Sequence, residues 1–295
     1  MKKTINVKWS SACALLISVL FVGCTGVTTP APKQEKLALP AITKSATHKH
    51  YSGKFVWHDL LTDDISAAKE FYSALFGWSF DEQGEYTTIY NRGKLIGGMM
   101  EVAPKPDRKA ESVWLPSMSV SNVDSMVAYV EKKKGKVLKG PLDMKERGRG
   151  VLVSDPHGAQ LVLLHAKGGD PVDTTPQMGD WLWNELWTNK PKESYDFYRK
   201  LGQYDASTHK DNYRILSHKG KWRAGLRHVM KDDLKVRWVP VVRVVDPKIV
   251  TDKVEKLGGK VLMEAHPSFL DGNVALISDN TGALVIVQRW TEREK

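Results

Sequence analysis

The chain carries one sequence pattern twice, the copies lying about 125 residues apart. The matched segments are FVWHDLLT at 55–62 with WLWNELWT at 181–188, Phe-Tyr at 71–72 with Phe-Tyr at 197–198, and VEKKKGKVL at 130–138 with VEKLGGKVL at 254–262. A duplication of this length predicts two similar domains. Any pocket that one domain forms should therefore recur in the other in a related form.

The N-terminus is basic and then apolar. Three lysines in the first eight residues precede the apolar run Ala12–Val22, which ends at Gly23-Cys24. A basic start, a short apolar core and a small residue before a cut predict a secretory signal peptide over residues 1–23. The run is too short for a comfortable membrane-spanning helix. We therefore expect the mature protein to be exported.

The end of this signal bears on anchoring. Phe21-Val22-Gly23-Cys24 resembles the bacterial lipobox, which implies that Cys24 is lipidated and becomes the new N-terminus. An ordinary signal peptide with a chance cysteine is the alternative. Thr25, rather than Asp, follows the cysteine, and by the same resemblance this implies an outer-membrane lipoprotein facing the periplasm if the source is Gram-negative. The other cysteine, Cys13, lies in the discarded segment, so no disulfide is predicted.

The mature chain divides into a tether and two domains. Residues 24–50 contain several prolines and no sustained hydrophobic period, which predicts a flexible tether. Residues 51–168 and 178–291 each read as two strand–helix–three-strand units. The Gly- and Pro-rich stretch 169–177 predicts a linker between them. The expected class is α+β.

The formal charge of the chain is +10, and removal of Lys2, Lys3 and Lys8 with the signal leaves +7. A basic excess of this size raises the question of nucleic-acid binding. The lysines are scattered among acids, however, and an exported location argues against DNA or RNA. We expect a solvated basic surface, with membrane contact made through the lipid anchor.

Short motifs in the repeat resemble a known superfamily. The Phe-Tyr pairs, Leu-Phe-Gly-Trp at 75–78 and Asp-Pro-His-Gly at 155–158 are similar to those of the glyoxalase / bleomycin resistance / extradiol dioxygenase superfamily, also called the vicinal oxygen chelate fold. The Trp-x-Asp/Glu-Leu-x-Thr strand resembles its tandem-domain, glyoxalase-like subgroup. The resemblance implies two domains, each a cupped mixed sheet built from two βαβββ units with helices outside.

In the metal-using members of this superfamily, histidine and carboxylate side chains hold a divalent ion inside the cup. The positions that match these ligands are Trp57, Gly98, Leu115 and Val162 in the first domain and Trp183, Val239 and Ile286 in the second. None of these side chains can coordinate a metal ion. We therefore expect no cofactor, and a divalent metal only if displaced ligands are used. His58 lies beside the first of these positions, but alternation along a strand predicts that it points away from the cup.

The same alternation selects candidates for the pocket lining. The candidate residues are Trp57, Asp59, Trp114, Trp183, Glu185 and Arg243, and Tyr86, Arg147, Arg149 and Tyr213 are weaker candidates near the rims. Glu185 and Arg243 are expected to form a buried ion pair. Ser119 replaces that arginine in the first domain, which leaves Asp59 without the equivalent partner. Tryptophans near a concave sheet could stack on a flat or cationic ligand.

Three functions are consistent with the sequence. The first is a metal-free envelope lipoprotein that binds a small molecule. The second is a metal-dependent lyase or dioxygenase that uses displaced ligands such as Asp59, Glu185 or a nearby histidine. The third is an envelope scaffold whose pockets are vestigial. The sequence assigns no catalytic residue, does not decide whether the chain is an enzyme, and does not predict the oligomeric state.

Overall fold

A computed structural model describes residues 38–103, 112–205, 209–210, 212–231, 235–267 and 270–290. The predicted signal peptide, the lipidation site Cys24 and the tether as far as residue 37 lie outside the described residues. Among the described residues, no helix combines the length and the apolar character needed to cross a membrane.

The first domain is one eight-stranded mixed sheet with two helices. In chain order its elements are β1 (Phe55–Thr62), α1 (Ile65–Phe76), β2 (Ser79–Gln83), β3 (Tyr86–Asn91), β4 (Lys94–Glu101), β5 (Val113–Ser119), α2 (Val123–Lys132), β6 (Lys136–Asp143), β7 (Gly148–Ser154) and β8 (Gln160–Ala166). The strand order is β2-β3-β4-β1-β5-β8-β7-β6. The two βαβββ units therefore meet along β1 and β5, which pair antiparallel at the centre of the sheet.

The second domain repeats this arrangement. Its elements are β9 (Trp181–Thr188), α3 (Pro191–Leu201), β10 (His209–Lys210), β11 (Tyr213–His218), β12 (Lys221–His228), β13 (Arg237–Val244), α4 (Pro247–Val254), β14 (Lys260–Met263), β15 (Val274–Ser278) and β16 (Leu284–Arg289). The strand order, β10-β11-β12-β9-β13-β16-β15-β14, is that of the first sheet. The predicted α+β class and the tandem arrangement of two cupped sheets are confirmed.

Local sequence sets the start and end of the helix that follows β1. The Asp64 side chain caps α1 by accepting a hydrogen bond from the Ala67 amide at 2.9 Å. The helix ends at Gly77, whose φ of 72° is the left-handed conformation that glycine adopts without penalty. Between these points the buried face of α1 is formed by Ala68, Phe71, Tyr72 and Leu75.

The helices pack across the domain boundary. The core around α1 includes Val242, Val250 and Ile277 of the second domain. The core around α3 includes Met118, Val130 and Val153 of the first domain, whereas the cup of each sheet has a separate apolar cluster. Each domain thus covers the outer side of its partner's second unit, which buries the helix faces of both.

The repeated motifs meet at this boundary in a reciprocal way. The Tyr72 hydroxyl donates to Asp279 Oδ2 at 2.8 Å, and the Tyr198 hydroxyl donates to Asp155 Oδ2 at 3.1 Å. The tyrosine of the Phe-Tyr pair in each domain therefore reaches the Asp-x-x-Gly turn of the other. Burial and the adjacent carboxylate raise the pKa of both tyrosines, so their hydroxyls stay protonated.

The linker is fixed between the domains. Asp173 lies 2.9 Å from Lys54 Nζ of the first domain and accepts two hydrogen bonds from the Arg223 guanidinium of the second, at 2.7 and 3.0 Å. This bidentate geometry is the strong form of an arginine–carboxylate contact. The linker therefore adds to the packing that joins the two domains.

The segment predicted to be a flexible tether is partly packed. From Leu39 to Lys49 it contacts the first domain: Leu39 and Ile42 are buried, and the amides of Thr47 and His48 donate to Gly168 O at 2.8 and 3.0 Å. The expectation of a free tether is therefore wrong for this part of residues 24–50. The reason is that two apolar side chains within a polar, proline-containing stretch find a concave apolar surface in the first domain.

Candidate functional site

Alternation along β1 and β9 determines which side chains enter the cups. Trp57 and Asp59 face the first cup and are 1% and 4% exposed. His58 points the other way and meets its counterpart Asn184 across the domain interface, with 3.2 Å between His58 Nε2 and Asn184 Oδ1. Burial lowers the pKa of His58 to about 3. His58 is therefore a neutral packing residue, as its position in the strand predicts.

The first cup holds a buried polar cluster around Asp59. Arg147 Nη1 donates to Asp59 Oδ2 at 3.3 Å, while the Tyr86 hydroxyl and Trp57 Nε1 donate to Asp59 Oδ1 at 2.5 and 2.9 Å. Arg147 Nη2 donates to the Tyr86 hydroxyl at 2.8 Å, and the guanidinium carbon lies 4.5 Å from the centre of the Trp57 ring. The carboxylate is thus neutralised by a cation and saturated by donors.

A tyrosine hydroxyl fills the space beside a glycine in each cup, and in the first cup that glycine, Gly98, matches a family ligand position. Gly98 lies opposite Asp59 in the β1–β4 pairing, and a Cβ atom added to it would lie 1.9 Å from the Tyr86 hydroxyl. Gly225 and the Tyr213 hydroxyl repeat this relation at 1.9 Å. Any side chain at these glycines would collide with the tyrosine. The space for a ligating side chain is therefore filled from the neighbouring strand.

The second cup contains an equivalent acid with a different cation. Arg227 donates from Nε to Glu185 Oε2 at 2.8 Å and from Nη2 to Glu185 Oε1 at 3.0 Å. Trp187 Nε1 donates to Glu185 Oε2 at 3.2 Å, and the Arg227 guanidinium lies 4.7 Å from the centre of the Tyr213 ring. Arg147 comes from the turn before β7, whereas Arg227 lies on β12, so the two domains neutralise their acids from different elements.

Two buried donors in the second cup make no hydrogen bond of normal geometry within the described part of the chain. They are Trp183 Nε1 and the Tyr213 hydroxyl, and the hydroxyl interacts with the nearby Glu185 carboxylate. Burial and the nearby Glu185 carboxylate raise the pKa of Tyr213 well above its usual value, so the hydroxyl keeps its proton. In the first cup the equivalent donors, on Trp57 and Tyr86, both reach Asp59. A buried donor without an acceptor is costly, and its presence calls for an explanation.

The two cups also differ in how far they are exposed. Trp57 is 1% exposed, whereas its counterpart Trp183 is only partly buried. Trp222, which lies 6.2 Å from Trp183 between ring centres, is 58% exposed. The aromatic lining of the second cup therefore reaches solvent, and that of the first does not.

Arg243 does not belong to this site. Its guanidinium donates to Pro176 O at 2.5 Å and lies 5.2 Å from the Trp290 ring centre. Val239, not Arg243, lies opposite Glu185 in the β9–β13 pairing. The predicted Glu185–Arg243 ion pair is wrong. Alternation places both side chains on the same face of the sheet, but Arg243 lies four positions along β13 from the residue opposite Glu185.

Trp114 is also outside the cups. Its Nε1 donates to the Tyr72 hydroxyl at 2.7 Å, and its ring lies 4.9 Å from that of Trp181 in the core between the domains. Leu115, one residue along, is the position that faces Asp59 in the β1–β5 pairing. The pocket role predicted for Trp114 is therefore wrong, since alternation places it on the outer side of the sheet.

The sequence indicated four polar residues of the cups only weakly or not at all. Tyr86 and Arg147 were expected only near a rim, yet both form the floor of the first cup, as Tyr213 does in the second. Arg227 gave no signal. The repeat offered one clue, because Tyr86 and Tyr213 occupy matching positions before Gly98 and Gly225. Arg149 instead lies at the surface, bound to Asp124 and Asp143.

The residues present do not fit the divalent metal of the metal-using members. Trp57, Gly98, Leu115 and Val162 offer no ligating atom, and the acids that do, Asp59 and Glu185, are paired with arginines. Among the described residues, no group of three or more His, Cys, Asp or Glu side chains is placed to hold a metal ion. A depression of about 320 Å³ lies elsewhere, lined by Asp143, Lys145, Gly148, Arg149, His165 and Lys167.

Comparison with known proteins agrees with this fold. The family model for the glyoxalase/bleomycin resistance protein/dioxygenase superfamily matches residues 50–163. The putative glyoxylase CFP32 of Mycobacterium tuberculosis is 28% identical over 241 residues, which cover 78% of this chain and 92% of that protein. The anthracycline biosynthesis protein DnrV of Streptomyces peucetius is 28% identical over 173 residues, covering 53% of this chain and 63% of DnrV.

Solved structures show the same fold at low identity. The Mn(II)-bound glyoxalase from Novosphingobium aromaticivorans superposes with a TM-score of 0.55 at 12% identity, covering 81% of this chain and 83% of that one. Homoprotocatechuate 2,3-dioxygenase from B. fuscum gives 0.56 at 12% identity, covering 87% and 74%. The superfamily model therefore matches the first domain, and the second domain repeats the strand order of the first.

Proposed function

We propose that the chain belongs to this superfamily and binds a small molecule in the second cup without a metal ion. The observation that carries the proposal is the buried Trp183 Nε1, which has no acceptor within the described residues, in a cup whose tryptophans reach solvent. A ligand with an oxygen acceptor would remove the cost of that donor. The surrounding indole rings favour a flat, apolar body.

The charge at the floor of the second cup supports a neutral ligand. Glu185 and Arg227 neutralise each other in a bidentate pair, so neither offers an unpaired charge to a ligand. A charged ligand would have to compete with this pair in a partly desolvated site. The proposed ligand class is therefore a neutral, flat, apolar molecule that bears at least one carbonyl or hydroxyl oxygen.

A pair of probes tests this ligand class. 9-Fluorenone is flat and neutral and has one carbonyl acceptor, and fluorene has the same rings without the oxygen. Titration of the protein's tryptophan fluorescence should give tighter binding of fluorenone by roughly fivefold or more, the value of one hydrogen bond of about 1 kcal/mol. Equal affinities, or no binding of either probe, would count against the proposal.

Matched variants locate the binding. Trp222→Ala removes an exposed ring from the second cup, whereas Leu95→Ala changes the corresponding position of the first cup. Trp222→Ala should weaken fluorenone binding about tenfold, in the range of a lost aromatic contact. Leu95→Ala should leave the affinity unchanged. The reverse pattern would place the site in the first cup.

We propose that the protein is an exported lipoprotein held to the membrane through Cys24. The support comes from the sequence alone: a basic start, an apolar run and the lipobox-like residues 21–24. Incorporation of a palmitate analogue in the bacterial host, lost in Cys24→Ser, is the expected result. An unlabelled protein of reduced mass would indicate an ordinary signal peptide instead.

Two alternatives have specific support. The relatives described as glyoxylase or Mn(II)-bound glyoxalase favour a metal-dependent enzyme, which here would have to release Asp59 or Glu185 from its arginine. The fully buried Trp57 favours a scaffold with vestigial pockets, at least for the first cup. Metal content separates the first alternative from our proposal. Failure of the second cup to bind any neutral aromatic probe would favour the scaffold.

A further inference from the structure

The first cup is covered by the chain itself. We call residues 39–42, Leu-Pro-Ala-Ile, the strap. Leu39 and Ile42 are 7% and 3% exposed and pack with Trp57, Tyr86 and Met144 in the apolar cluster of the cup. Leu39 also forms a parallel bridge with Lys145 on the turn before β7. An extended segment is therefore bound across the first cup by side chains and backbone together.

The strap accepts hydrogen bonds from Arg147. The Arg147 Nε donates to Pro40 O at 2.8 Å, and its backbone amide is shared between Leu39 O at 3.2 Å and Met144 O at 3.1 Å. The two Nη atoms are already used by Asp59 and Tyr86. Two consecutive peptide carbonyls thus accept from the side chain and the backbone of one buried arginine, which is how a protein recognises a peptide backbone.

The strap is held separately from the chain that follows it. Beyond a short bend, the amides of Thr47 and His48 donate to Gly168 O, and the Asp170 amide donates to Lys49 O at 2.7 Å. This second attachment keeps residues 47–49 on the domain whether or not the strap is bound. A released strap would therefore stay near its site at a high effective concentration.

The second cup has no such cover from the corresponding part of the chain. The segment before β9 is the linker, and its Asp173 is held by Lys54 and Arg223 rather than in a cup. The difference in exposure between Trp57 and Trp183 follows from this. The two cups are equivalent in fold, but within the described residues a peptide segment fills the first and not the second.

We propose that the first cup is a peptide-binding site, and that the strap is its intramolecular ligand. Its ligand class is a short, extended, apolar segment whose consecutive carbonyls accept from Arg147 and whose two apolar side chains lie against Trp57 and Met144. Displacement of the strap opens the site to a segment of the same kind from another chain. This goes beyond the proposed function, which concerns the second cup, and either proposal can fail without the other.

The test uses the full chain and a labelled heptapeptide with the sequence of residues 38–44. In the variant Leu39→Asp with Ile42→Asp, the strap can no longer fill the cup, and fluorescence anisotropy should report peptide binding at one site. The unchanged chain should bind at least tenfold more weakly, because its own strap competes. A peptide carrying the same two aspartates should not bind. Ile249→Asp, an exposed apolar position on α4, is the matched control and should gain nothing.

Two outcomes would overturn the proposal. One is a folded strap variant that binds the peptide no better than the Ile249→Asp control. The other comes from hydrogen exchange in the unchanged chain and is decisive even if the strap variant does not fold. The Arg147 Nε–H, which Pro40 O accepts, should exchange through a local opening, with a protection factor at least tenfold lower than those of the Val151 and Val153 amides. Equal protection of all three would mean that the strap leaves only when the whole domain unfolds.

Discussion

An arginine at the floor of each cup gives the neighbouring carboxylate a permanent partner. The Asp59–Arg147 pair is buried, whereas in the Glu185–Arg227 pair the acid is buried and the arginine is partly exposed, and aromatic rings lie beside both pairs. Breaking a buried pair by removing one charge costs about 3–5 kcal/mol, because the other charge remains uncompensated. The same cost opposes any metal that would draw the carboxylate away from its arginine.

Sequence reasoning reached the acids of these pairs but not their partners. Period-2 alternation placed Trp57, Asp59 and Glu185 in the cups, since β1 and β9 are central strands with one face inward. Alternation could not identify Arg147, because this residue lies in a turn. It could not identify Arg227 either, because the register between β12 and β9 is set by the tertiary fold and not by local sequence. Alternation tells which face of the sheet a side chain lies on, but not how far along the strand it lies. For this reason Arg243 was wrongly paired with Glu185.

His58 predicts a pH dependence of stability. Its pKa is lowered by burial from 6.5 to about 3 in the folded protein, so the unfolded chain binds a proton below about pH 6.5 that the folded chain does not. The free energy of unfolding is therefore undiminished by His58 above pH 6.5, and it falls as the pH is lowered towards 3. The loss is about 1.4 kcal/mol per pH unit.

Chemical denaturation of the chain and of His58→Gln measures this contribution. Between about pH 6 and about pH 4, the unfolding free energy of the unchanged chain should fall more steeply than that of the variant, by about 1 kcal/mol per unit. Glutamine retains an amide near Asn184 but cannot titrate. Parallel curves for the two proteins would show that His58 is protonated in the folded state or that the interface opens.

At the scale of elements, the helices α1 and α3 each pack against the sheet of the other domain. Each helix covers the outer side of the other domain's second unit, and the Tyr72–Asp279 and Tyr198–Asp155 contacts fix the two crossings. The repeat predicted both domains and their element order from local periodicity. It could not predict this packing between domains, since identical motifs in the two copies leave open whether each tyrosine bonds within its own domain or with the other.

Removal of one hydroxyl should therefore weaken both domains together. Tyr72→Phe leaves Asp279 Oδ2 and Trp114 Nε1 without that partner, which costs about 1–3 kcal/mol. Tyr198→Phe is the matched variant for the second crossing. Urea unfolding followed by circular dichroism and by tryptophan fluorescence should give one coincident transition at a lower midpoint for each variant. Two separate transitions would contradict a shared core.

At the scale of the whole molecule, the two cups share one fold but differ in whether they are covered. The first is closed by the strap over Trp57, and the second leaves Trp222 exposed to solvent. Fusion of the domains in one chain permits this difference, because the segment before β1 and the linker before β9 differ in sequence and contact different parts of the protein. Two identical subunits would have to cover both cups or neither.

The metal content of the purified full chain tests most directly whether the acid–arginine pairs have replaced the metal site. The protein is incubated with Mn²⁺, Fe²⁺, Ni²⁺ and Zn²⁺ in turn, desalted and analysed by inductively coupled plasma mass spectrometry. We expect less than about 0.1 equivalent of any metal, because a closed set of ligands is absent from both cups among the described residues. One or two equivalents, lost in Asp59→Asn or Glu185→Gln, would contradict the account.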